Sequence, residues 1–139
     1  MPAGLRWALG VTDTLFIAYW LAAGLDAVGV IAIPADWLYA DAHDRRVVAW
    51  NWSFLPLDVA FSVTGLFAIR LAQRGDPLWR PMALVSLVLT MVAGGMAVSY
   101  WTLLGEFDPA WYLPNLALVI WPMFYIGMLL RPTSADPSL

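Results

Sequence analysis

Trp50-Asn51-Trp52-Ser53-Phe54-Leu55-Pro56-Leu57-Asp58-Val59-Ala60-Phe61-Ser62-Val63-Thr64-Gly65 combines apolar length with regularly spaced polar residues. It is apolar enough to cross a bilayer, yet it carries an amide, an acid, a hydroxyl and a glycine at helical spacing. Asn51 and Asp58 are seven apart, and Ser62 and Gly65 continue the same stripe at i+4 and i+7 from Asp58. An ionised group at membrane depth costs about 2.5–3.5 kcal/mol on insertion scales, so the acid and the hydrogen-bonding groups beside it need partners or a purpose.

Working outward, three further apolar stretches flank this one. Together they predict membrane spans over 11–33, 49–71, 81–104 and 111–130, an all-α bundle of four transmembrane helices in one domain, 1–131. Pro34 stops the first span. Arg74-Gly75-Asp76-Pro77 and Glu106-Phe107-Asp108-Pro109 make the short turns, and Pro81 suits the first turn of the third helix. The polar tail 132–139, rich in proline and serine, is expected to be disordered. The first span, long and containing Asp13 and Asp26, is expected to be a retained helix and not a cleaved signal peptide.

Composition agrees. Apolar residues make up 62% of the 139 and charged residues 12%, about half the share of a soluble domain. There is no cysteine, which removes disulfides and thiolate chemistry, and the single His43 makes a histidine-rich metal site implausible. No metal or cofactor is therefore expected. A net charge of −3 without any lysine argues against nucleic acid as a partner.

Arginine sets the expected orientation. Arg6, Arg70, Arg74, Arg80 and Arg131 fall on one side, while Arg45 and Arg46 lie on the other among Asp36, Asp41, Asp44, Glu106 and Asp108. The positive-inside rule puts both termini in the cytoplasm of a multi-pass protein. Trp37, Trp50, Trp101, Trp111 and Tyr112 then belong to the outer aromatic belt, and Asp13 to the solvated inner interface.

With these spans Asp26 lies about 10 Å below the outer surface and Asp58 roughly 12 Å, so the two acids share a level. Asn51, Asn115, Ser99, Tyr100 and Thr102 lie near the rim above them. Ser86, Thr90, Ala93, Gly94 and Ala97 form a small-residue stripe of the kind that lets membrane helices approach closely, with Ser62, Thr64, Ser86 and Thr90 read as interhelical glue. Pro56 and Pro122 each free a carbonyl one turn earlier, as is tolerated where backbone lines a cavity. The expected cavity is lined by Asp26, Asn51, Asp58, Tyr100 and Asn115 and lidded by the loop containing Trp37, Leu38 and Tyr39.

The run from Ala49 to Leu66 resembles the signature of the YvaD-like family of small bacterial membrane proteins. Further matches are Thr12-Asp13 with Tyr19-Trp20, Ala83 to Thr90, and Phe107 to Leu116. The resemblance implies a four-helix protein of the bacterial inner (cytoplasmic) membrane and no particular activity. In architecture alone, the acids and aromatics within four helices are similar to the emopamil-binding and sigma-2-receptor group. An asparagine before an acid on a membrane helix is similar to the integral membrane terpene cyclases.

The leading expectation is a membrane-embedded site for a small lipophilic molecule, extending to an isomerase or cyclase that works by carboxyl acid–base chemistry. Asp58 is the candidate acid and Asp26 its partner. Asn51, Tyr100 and Asn115 would orient the substrate, and Tyr19, Trp50, Trp52, Phe54 and Trp121 would wall the site, their rings suited to a cation. The alternatives are a proton-coupled transporter of lipophilic compounds built as a small homodimer, or an accessory membrane subunit. Membrane lipid is a partner in every reading.

Overall fold

A computed structural model describes residues 1–34, 37 and 41–131. Leu38 and Tyr39 of the expected lid, and the tail expected to be disordered, lie outside the described residues. Trp37, the part of that lid within them, is exposed. The chain forms α1 (Ala3–Ala27), α2 (Arg45–Ser53), α3 (Leu55–Gln73), α4 (Trp79–Leu104) and α5 (Pro109–Leu130). Helices α2 and α3 together make one crossing, so four segments are long and apolar enough to span a membrane.

Polarity is inverted relative to a soluble bundle. Leu15, Val63, Ile120 and Phe124 face outward, while Asp13, Asp58, Ser62, Ser86 and Thr90 are buried. Only a surrounding hydrocarbon makes that arrangement stable, since lipid solvates the apolar exterior and leaves polar groups to be satisfied inside. This is a multi-pass membrane protein.

The segment quoted first is broken as its proline requires. Pro56 has no N–H to donate, so the helix stops after Ser53, where Phe54 N–H donates to Asn51 O at 3.1 Å, and restarts with Pro56 in the first turn of α3. Asp44 caps α2 by accepting from Arg46 N–H at 2.7 Å, and Asp108 caps α5 by accepting from Ala110 N–H at 2.9 Å. Pro114 and Pro122 sit inside α5 without interrupting it.

The first span corrects the sequence reading. Helix α1 begins at Ala3, directly after Pro2, and ends at Ala27 instead of running on to Ile33. Gly29, at φ +75°, turns the chain out of the helix before proline is reached. The shift moves Asp13 from the expected interface to mid-helix, where it is fully buried. It makes Asp26 the last residue but one of α1, in the final turn. There Asp26 Oδ1 accepts from Ile33 N–H at 2.8 Å and ties down the exit from α1.

Neighbouring helices run antiparallel. Trp20 meets Asp58, Phe16 meets Phe61 and Asp13 meets Gly65, so the partner on α3 advances as α1 retreats. Helix α4 packs along both α3 and α5, whereas α1 packs along α3. Both termini therefore lie at one end, here called proximal. At that end Leu5, Leu9, Ala68, Ala83, Leu87 and Leu129 form one apolar cluster, and α1 reaches α5 through Gly4, beside Tyr125. Arg80 donates to Leu129 O and Arg131 O, satisfying carbonyls that the end of α5 would leave open.

Candidate functional site

Toward the distal end a cavity of about 340 Å³ opens where α1 and α5 are not packed together. Leu15, Phe16, Tyr19 and Trp20 line it from α1, and Trp50 and Asn51 from α2. Phe54 and Asp58 contribute from the helix break and α3, and Ala93, Ala97 and Trp101 from α4. Helix α5 closes the far side with Trp111, Pro114, Asn115 and Leu118. The alanines of α4 give the space, because a methyl group stands where a larger side chain would fill it.

Asp58 is the charge-bearing group of this wall. It lies one turn into α3, directly after the proline break, and is 4% exposed. Its Oδ2 accepts from the indole Nε1–H of Trp20 at 2.9 Å, while Oδ1 has no partner among the described residues. Buried polar atoms are nearly always hydrogen-bonded, so this unfilled acceptor on a residue that borders the cavity is an exception that needs a donor.

The aromatic side chains brace each other around it. Trp50 stacks on Tyr100 with ring centroids 4.1 Å apart and an 18° interplanar angle, and meets Phe54 and Trp101 edge-on at 4.9 and 5.9 Å. The Asn51 amide and the Tyr19 hydroxyl lie 3.2 Å apart, joining α2 to α1. Asn115 Nδ2 donates to Trp111 O at 2.7 Å. Aromatic contacts of this kind fix ring orientation and are worth about 0.5–1.5 kcal/mol each beyond area burial.

The structure thus brings together Asp58, Asn51, Trp50, Phe54, Tyr19 and Asn115. It does not bring in Asp26, whose expected depth depended on a helix end six residues too late. Tyr100 stands behind Trp50 and supports it. Trp52 packs on Trp20 at 5.4 Å instead of lining the cavity. Trp121 belongs to the proximal cluster beside Tyr125, because three turns of α5 separate it from Trp111.

Two residues assigned by the sequence to the belt alone are walls. Trp101 is 8% exposed and Trp111 half-buried, and both face the cavity. Trp20 was passed over as well, although Asp13, Phe16 and Trp20 recur at i, i+3 and i+7 and so mark the buried face of α1. Of the four hydroxyls expected to join helices, two bond within their own helix, Thr64 Oγ1 to Ala60 O at 2.8 Å and Thr90 Oγ1 to Ser86 O at 2.9 Å, while Ser62 Oγ and Ser86 Oγ have no partner among the described residues. The small-residue stripe does allow close approach. Its Ser86, Thr90, Ala93, Gly94 and Ala97 are all buried.

Residues 5–136 match the model of a family of unknown function, DUF5360. The chain belongs to this family. It is 45% identical over 121 residues to the uncharacterised protein YvaD of Bacillus subtilis, covering 87% of each chain. That relationship agrees with the resemblance carried by the central run, and a bacterial relative fits a bacterial origin. No solved structure matches the chain.

Proposed function

We propose that this protein holds a small lipophilic molecule in the distal cavity and admits it sideways from the membrane between α1 and α5. The observation that carries the reading is Asp58 Oδ1, without a partner among the described residues, beside a cavity lined mainly by aromatic and aliphatic side chains. An occupant of matching chemistry has an apolar body and one hydrogen-bond donor or cationic group. Its body would replace lipid contacts at little cost, and its donor would satisfy Asp58. A volume near 340 Å³ lies at the small end of ligand pockets, suiting a compact molecule.

Acid–base isomerisation or cyclisation at this site would rest on Asp58, with the Tyr19–Asn51 pair 3.2 Å apart as the nearby polar contact. The two-carboxyl scheme has lost its second acid to the α1 exit turn. Transport has less support, because the proximal half beneath the cavity is filled by the cluster around Leu5, Leu9 and Leu87.

Native mass spectrometry of gently extracted protein tests the reading. Wild type should carry a bound lipophilic mass, and Ala97→Trp, which places an indole in the cavity, should lose it while remaining folded. The same adduct on both proteins, or on neither, would overturn the proposal.

Orientation belongs to the same reading: a cytoplasmic-membrane protein with both ends inside. A reporter active only in the periplasm should work when inserted after His43 and be silent when fused after Leu139. The reverse pattern would place the cavity in the cytoplasmic leaflet.

A further inference from the structure

Four of the five buried side-chain atoms left without partners among the described residues lie below the cavity, not in it. They are both oxygens of Asp13, Ser62 Oγ and Ser86 Oγ. Asp13 is fully buried ten residues into α1, about 15 Å from its start and so near the bilayer centre. A Cβ built on Gly65 would overlap Asp13 Oδ2 and lie 2.7 Å from Ser86 Oγ. Oxygens from α1 and α4 therefore converge on one point over the bare Cα of α3. Ser62 stands one turn away on the same buried face.

We propose that Asp13, Ser86 and Ser62 form a second site, separate from the cavity, that binds one small dehydrated monovalent cation of the sodium class. The donors are all hard oxygens, which such ions prefer. A single carboxylate matches a single positive charge, and no group of three or more acidic, histidine or cysteine ligands exists among the described residues to suit a divalent ion. No basic side chain offers itself in its place. All seven are arginines, at 6, 45, 46, 70, 74, 80 and 131, near the ends of the crossings.

A lone carboxylate at this depth is costly, and a bound counter-charge with added oxygen ligands offsets that cost. Glycine at 65 is what lets the Asp13 carboxylate and Ser86 Oγ come so close to the α3 backbone. The Phe16–Phe61 edge contact, at a centroid distance of 4.9 Å, separates this level from the cavity. The apolar cluster of Leu9, Ala68 and Leu87 closes it proximally. The site is enclosed from both directions.

Thermal unfolding of the detergent-solubilised full chain in sodium, potassium or choline chloride at equal ionic strength and fixed pH tests this. Sodium should raise the melting temperature by roughly 5 °C over choline, the response of a native-state ligand well above its dissociation constant. Asp13→Asn should abolish the difference, and Ser86→Ala should shift it to higher sodium concentration. The salt series on wild type alone decides the matter if either variant fails to fold. Equal melting in all three salts would overturn the proposal. So would a wild type that responds to pH but not to sodium, which would show the carboxyl occupied by a proton.

Discussion

Gly94→Ala is expected to destabilise the bundle by about 1–3 kcal/mol, whereas Gly95→Ala, one residue along, should be neutral or stabilising. The contrast follows from what each added methyl meets. At Gly94 it would lie 2.6 Å from Asn115 O and 2.7 Å from Leu118 Cβ, so the backbones of α4 and α5 must separate. At Gly95 nothing lies within 4 Å, and alanine favours the helix. Separation at Gly94 also moves Asn115 and Leu118, both on the cavity wall. Gly94→Ala should therefore lower the melting temperature and reduce ligand carry-through together. Equal melting temperatures for the two variants would show that α4 and α5 are not in backbone contact.

Asp58→Leu should abolish retention of the cavity ligand while costing less in fold than a buried acid suggests. The substitution leaves Trp20 Nε1–H without its acceptor, an omission typically worth about 1–3 kcal/mol. It also removes Oδ1, itself unpartnered, so part of that cost is offset. Asp58→Asn keeps an acceptor for Trp20 and should fold like wild type. It should nevertheless weaken ligand binding at least tenfold, about 1.4 kcal/mol, if the occupant is recognised through charge. Ligand stoichiometry by native mass spectrometry, set beside melting temperature, separates the two effects. Undiminished ligand on Asp58→Leu would remove the carboxyl from the site.

Four crossings were legible in the sequence because length and apolarity alone define them, and the helices of residues 79–104 and 109–130 lie within two residues of the expected bounds. Asp58, Asn51 and Asn115 were legible because spacing places polar groups on a helix face. Helix ends were harder. The first span was drawn to Pro34 as the strongest breaker, when Gly29 had already turned the chain. That one misplaced end made Asp26 look deep and Asp13 look solvated. Which aromatic rings wall a cavity and which face lipid is set by how helices pair. Trp101, Trp111 and Trp121 carry the same composition signal, yet the first two wall the cavity and the third packs on the proximal cluster.

The contact between Asp13 and Gly65 also has a history within the life of each molecule. Translation delivers Asp13 about fifty residues before Gly65, an interval of several seconds at roughly 5–20 residues per second. Through those seconds the acid on α1 has no α3 to shelter it. The first hairpin is therefore the earliest stage at which Asp13 can be buried against α3. Slower synthesis between residues 13 and 65 lengthens the time for which the carboxyl waits for the glycine that it packs against.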